Sequence, residues 1–154
     1  MDRSPETARA IHQSLLDRSG EAYRTGSFEL FAPCFALPTE VHTFEATRKI
    51  TNEAELEALF DDTLDVLTKA GAQLIRIATD ALFADDNTIK ATHSSRLVIG
   101  DRLLAGPFPI FFLVKRSEGA WRLAASQYAV DRPTSFAEAL SGVPTQKGKQ
   151  NAPD

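Results

Sequence analysis

From Gly71 onward the hydrophobic residues of this chain switch from helical spacing to a period of two, and that switch decides what the chain can fold into. Just before it, Leu56, Leu59, Phe60, Leu64 and Leu67 recur at helical spacing over residues 53–70. Asn52 suits the N-cap, with Glu55 three residues on as in a capping box. Glu53, Glu55 and Glu57 suit the positive end of the helix dipole and Lys69 the negative end. After Gly71 the period is two. Leu74–Phe83, Thr88–Ile99, Phe108–Arg116 and Trp121–Val130 read as strands, punctuated by Asp85-Asp86-Asn87, Gly100-Asp101 and Ser117-Glu118-Gly119. Links this short require antiparallel pairing, because parallel strands need long crossovers.

The first half reads as helices with one extended excursion. Residues 5–25 form a helix capped by Ser4 and closed at Gly26, with Ala8, Ile11, Leu15, Ala22 and Tyr23 as its apolar stripe. Ser27 caps a short second helix carrying Phe28, Phe31 and Phe35, which Pro33 distorts and Leu37-Pro38 closes. Residues 39–50 are extended, with a hairpin around Glu45-Ala46-Thr47. Residues 135–140 suit one more helical turn, and residues 141–154 have the composition of a disordered tail. The expectation is one α+β domain over residues 1–140, a curved antiparallel sheet wrapped around three helices.

Composition excludes several functions. The 17 Lys and Arg are scattered over the 154 residues and the net charge is −4, so there is no basic stripe for nucleic acid or an anionic membrane. No apolar run is long enough for a membrane span, and the N-terminus carries no apolar signal region, so a soluble cytoplasmic protein is expected. The single cysteine, Cys34, rules out an internal disulfide and reads as a small buried hydrophobe. The three histidines lie in three separate elements with no metal-ligand spacing, and no nucleotide or hydrolase motif occurs, so neither metal nor cofactor is expected.

Three helices followed by a four-strand meander form a recognisable order. Tyr23-Arg24-Thr25-Gly26-Ser27-Phe28 with Phe35, Glu55-Leu56-Glu57-Ala58-Leu59-Phe60, and Glu118-Gly119-Ala120-Trp121-Arg122-Leu123 with Tyr128 carry the likeness. Over residues 8–131 the chain resembles the NTF2-like superfamily, including its SnoaL-like and ketosteroid-isomerase-like groups. The resemblance implies a cone of curved sheet with helices over the concave face, a pocket inside, and an outer sheet face that makes a homodimer. It does not imply an activity, since members of one fold differ in function.

The resemblance also locates residues that would meet a small apolar or amphipathic ligand in that pocket: Phe31, Thr43, Phe60 and Ser126. Ketosteroid-isomerase-like members use a carboxylate on the first strand and a tyrosine on the first helix. Thr43 and Ser19 stand at those positions here and cannot play those parts; Glu45, on the Thr43 face, falls at the hairpin tip. The remaining acid/base candidates are His93 and Tyr128. His93 shares an apolar strand face with Ile89, Ala91, Ser95 and Leu97 and needs a hydrogen-bond partner, which Ser126 or Tyr128 would supply. Tyr128 alternates with Ser126 and Ala124, small residues that suit a cavity wall, while Trp121 alternates away from it. His42 is placed on the outer side, His12 beside the first helix stripe, and Arg96 on a solvated strand. Phe108, Phe111 and Phe112 give one strand aromatics on both faces, which suits a sheet covered outside by a second copy of the chain. The two readings are a non-catalytic dimeric binding module and a SnoaL-like lyase, isomerase or cyclase using His93 and Tyr128.

Overall fold

Each helix starts and stops where its caps dictate. The computed structural model describes residues 2–43 and 46–128. Helix α1 spans Pro5–Thr25, with the Ser4 hydroxyl accepting from the Thr7 amide at 3.2 Å and Gly26 closing it in the left-handed conformation. Helix α2 is one turn, Phe28–Phe31, and runs into a 3₁₀ turn at Ala32–Cys34. Pro33 has no amide to donate, which is why regular α-geometry stops here. Helix α3 spans Glu53–Ala70. The Asn52 side chain accepts from the Glu55 amide at 2.9 Å. Glu55 returns the contact one residue further out than a capping box, accepting from the Thr51 amide at 2.7 Å.

Six strands follow or intervene: β1 Phe35–His42, β2 Thr47–Ile50, β3 Gln73–Asp85, β4 Thr88–Ile99, β5 Arg102–Ser117 and β6 Ala120–Tyr128. They form one sheet in the order β2-β1-β6-β5-β4-β3. The α+β architecture expected from the sequence is present, with two differences. The sheet is mixed: the β1–β6 ladder is parallel, with Val41 beside Ser126, and the other ladders are antiparallel. The meander predicts its own hairpins, but the long connection through β2 and α3 lets β1 join β6 in the same direction. Second, Phe35–Pro38 belong to β1 rather than to the second helix. The Phe35 ring still packs on Phe31, with centroids 4.6 Å apart. The helical turn expected at 135–140, the tail at 141–154, Val130 and Glu45 lie outside the described residues.

Two irregularities decide which side chains face the helices. In β3 the pairing slips between Ala78 and Asp80, so Ala78 and Ala81 both point inward although they are three positions apart. In β6 the partners of Leu113 and Val114 are Ala125 and Leu123, which leaves Ala124 as an extra residue. Leu123 and Ser126 are therefore both buried, and Trp121 and Tyr128 both pack on the same core. Strict alternation places them on opposite faces; the bulge reverses the parity between them.

The core has two parts. Under α2 and α3, Phe31, Phe60, Leu56, Leu59, Val41 and Ile50 pack together. Under the first half of α1, Leu15, Leu16, Ile89, Ile110, Phe112 and Val114 do so. Burying each such side chain stabilises the fold by roughly 1.5–3 kcal/mol. The expected α3 stripe is the one buried, with Leu64 at its margin.

Candidate functional site

Among the described residues, side chains of α1, α2 and α3 pack over the concave face of the sheet. Between α1, α2 and the sheet lies a cavity of about 20 Å³, lined by Ser19, Tyr23, Phe31, Cys34, Arg76, Tyr128 and neighbouring apolar residues. That is room for about one water. Phe31 and Phe60 fill the space in which the sequence places a ligand: their rings are 4.8 Å apart, and Tyr23 stacks on Phe60 at 5.5 Å with planes 10° apart. Phe31 reaches the small cavity, while Phe60 is core.

His93 does not meet the partners expected for it. It is 1% exposed, and its Nδ1 lies 3.1 Å from Nε2 of His12, which is 0% exposed. Phe112 packs edge-on against both imidazoles, at 5.2 Å from His12 and 4.7 Å from His93. Along the sheet, His93 is opposite Ile110, and Ile110 is opposite Tyr128. Two strand spacings, roughly 10 Å, therefore separate the backbones of His93 and Tyr128. Ser126 is buried and pairs with Phe112, one step along. Desolvation drives the His12 pKa down to about 4, with the Arg76 charge adding to it. Desolvation, then His12, then Arg76 drive His93 down to about 2. Both rings are thus neutral at physiological pH. Tyr128 lines the small cavity, and burial raises its pKa.

The other sequence candidates are dispersed. Thr43 sits at the end of β1 beside a second groove of about 250 Å³ with Thr92, Pro109, Phe111 and Tyr128. His42 is half-buried at the β1–β2 edge, with Nε2 3.1 Å from Glu40 and Nδ1 2.9 Å from Thr47 Oγ1. Arg96 is exposed. Ser19, at the helix position of the isomerase tyrosine, donates to the Leu15 carbonyl at 2.9 Å. Cys34 is a buried free thiol with its pKa raised by burial.

Two residues of the interior, His12 and Arg76, do not stand out as site candidates in the sequence. His12 belongs to the buried row of α1, Ala8–His12–Leu15–Ser19–Ala22. A polar residue four after a buried alanine and three before a buried leucine is the signal that could have found it. Arg76 stands on β3 between Leu74 and Ala78, so alternation points it inward. Its Nη2 donates to the Leu16 carbonyl at 3.0 Å and to Ser19 Oγ at 2.8 Å, and its guanidinium lies 5.8 Å from the centre of the Tyr23 ring.

The roomy depression is at the mouth of the cone, between the last turn of α1, the C-terminal half of α3 and the start of β3. It encloses about 350 Å³ and is lined by Gly20, Tyr23, Arg24, Leu64, Leu67, Thr68, Leu74 and Ile75, among others. Gly26 and Gly71, the two left-handed caps, end the helices beside it, and the chain from Gly71 to Ile75 lines it. Tyr23 lines both this groove and the small interior cavity. Arg24 is held by Glu21 at the rim. No group of three or more potential metal ligands occurs among the described residues. No helix among them is long and apolar enough to cross a membrane.

No protein-family model matches the sequence, and no curated protein matches it. Solved structures do. A protein of unknown function with a cystatin-like fold from Nostoc punctiforme superposes with a TM-score of 0.67 at 20% identity, over 85% of this chain and 96% of that one. An NTF2-like protein with a cystatin-like fold from Novosphingobium aromaticivorans gives 0.62 at 20% identity, over 87% and 88%. An NTF2-like protein of unknown function from Pseudomonas putida gives 0.62 at 13% identity, over 86% and 92%. At these identities the likeness is one of fold. The path from capped helices to an open, bulged sheet is that of the NTF2-like fold, and this chain has it.

Proposed function

We propose that this chain is a non-catalytic binding domain, working as a homodimer in the cytoplasm, that takes a small apolar or amphipathic molecule at the mouth of its cone. The observation that carries the reading is the 350 Å³ groove between α3 and the sheet, walled by Leu64, Leu67, Leu74 and Ile75 with Arg24, Thr68 and Gln73 as polar groups. Its size and its mixed apolar and polar wall suit a small amphipathic ligand. The small cavity lined by Ser19, Tyr23, Arg76 and Tyr128, by contrast, has room for about one water.

The competing reading is a SnoaL-like lyase, isomerase or cyclase with His93 and Tyr128 as acid and base. An acid/base pair must reach the reacting atoms of one substrate. Here Ile110 stands between the two residues in the sheet, and His93 is sealed against His12 and Phe112. That arrangement favours binding over turnover.

The dimer reading rests on the outer sheet face. Ile77 and Leu82 are 56% and 55% exposed there, with Phe111 and Leu113 half-buried on the same side. These apolar residues flank the outward Lys90, Thr92 and Ser94 of β4, and such a mixed face suits a second copy of the chain. The free thiol of Cys34 fits a reducing compartment.

The test is a titration of the ¹⁵N-labelled protein with 1-octanol. Shifts concentrated at Gly20, Thr68, Gly71 and Gln73, saturating with dose and lost in Thr68→Trp, support the reading. A response unchanged by Thr68→Trp sinks it. Thr68 is exposed, so the tryptophan blocks the groove without entering the core.

A further inference from the structure

Arg76 is the one cation whose charge reaches every ionisable group lining the interior. It bears on His12, His93, Tyr23, Tyr128 and Cys34 alike. Its side chain is partly buried and lines the interior cavity. A guanidinium has five N–H donors. Those on Nη2 are engaged by Leu16 and Ser19; those on Nε and Nη1 have no partner among the described residues. Nor does any carboxylate there pair with it. The buried polar residues are His12, Ser19, Thr39, Thr63, His93, Ser95 and Ser126, so no Asp or Glu is buried among the described residues.

A charge drawn out of water needs a counter-charge or strong hydrogen bonds. The chain's own candidates stay neutral. Burial raises Tyr23, Tyr128 and Cys34, so none of them ionises to balance the guanidinium. The Tyr23 ring offers only a cation–π contact at 5.8 Å. Arg76 also lines the small cavity of about 20 Å³, large enough for one small occupant and too small for a carboxylic acid with a chain attached.

We propose that this cavity, between Arg76, Ser19, Tyr23 and Tyr128, is a binding site for one monovalent inorganic anion of halide size, with the guanidinium as its counterion. The site is distinct from the mouth groove and stands whether or not a ligand binds there. Tyr23 lines both.

Thermal unfolding of the full chain in potassium bromide against potassium gluconate at matched ionic strength tests this, since matched ionic strength removes general screening. Binding to the folded state alone gives a saturable rise, about 3 °C at bromide tenfold above its dissociation constant. The rise disappears in Arg76→Gln and persists, weakened, in Arg76→Lys. Should Arg76→Gln fail to fold, anomalous scattering from a bromide-grown crystal of the natural chain decides: a peak against the guanidinium is expected. Equal unfolding temperatures in bromide and gluconate, with only a water in the cavity, overturn the proposal. So does stabilisation by octanoate without any by bromide, which would make the anion part of a larger ligand.

Discussion

His12 on α1 and His93 on β4 share one hydrogen bond of 3.1 Å, Nε2 to Nδ1, in a place that excludes water. One ring donates and the other accepts, so the pair is neutral as built. The outer nitrogens, His12 Nδ1 and His93 Nε2, are buried without a partner among the described residues. Adding a proton therefore places an uncompensated charge near Arg76.

That makes the fold sensitive to mild acid. Above pH 6.5 both rings are neutral whether the chain is folded or not. Below it the unfolded chain takes up protons that the folded chain refuses until about pH 4 at His12 and about 2 at His93. Stability is thus fully present above the ordinary histidine pKa and falls as pH drops, by about 1.4 kcal/mol per pH unit per histidine. Denaturant unfolding at pH 7, 6 and 5 measures it, above the range where carboxylates titrate. A flat stability over those values contradicts the neutral pair.

Phe31 and Phe60 act as structure. Replacing either with alanine is expected to cost about 3–5 kcal/mol by leaving a cavity. Because the rings touch, the double variant should lose less than the two single losses added. Chemical denaturation of the three variants checks this; a loss under about 1 kcal/mol in each would place the rings in a loose pocket instead.

Gly106 has no room for a side chain. Its φ is +98°, and a Cβ would lie 2.7 Å from the Ser95 carbonyl oxygen, where the β4–β5 pairing slips. The obstacle is backbone and cannot swing away. Gly106→Ala is expected to destabilise by more than about 2 kcal/mol, or to abolish folding, while Gly119→Ala, at +77° with open space, costs about 1 kcal/mol. Thermal melts of the two variants compare them directly, and equal losses would contradict the crowding at Gly106.

The outer face is testable by mass. Ile77→Glu and Leu82→Glu each place a charge at an exposed apolar position of β3. Sedimentation is expected to show a dimer for the natural chain and a monomer for the double variant, with unchanged circular dichroism. A natural chain that sediments as a monomer at micromolar concentration removes the dimer reading.

Much of this architecture is legible in the sequence because its signals are local. Asn52, Gly71, Ser4 and Gly26 fix the helix ends through caps that depend on neighbouring residues only, and the turns from Gly71 onward force the meander. What alternation alone misreads is parity. A single extra residue at Ala124 brings Trp121 and Tyr128 to the same core, and a slip near Thr79 does the same for Ala78 and Ala81. The site is less legible for a different reason. His93 announces its need for a partner, but the partner is 81 residues away on another element. Arg76 is inward by simple alternation, yet only the assembled interior shows that no carboxylate among the described residues is buried beside it.

The groove itself is tested most directly by intermolecular nuclear Overhauser contacts between 1-octanol and a methyl-labelled sample. Contacts to Leu64, Leu67 and Leu74, with none to Leu15, Ile110 or Leu123, are expected if ligands stay at the mouth of a filled cone. Contacts to Leu15, Ile110 and Leu123 would show that the interior opens to admit a ligand, and would contradict binding confined to the mouth.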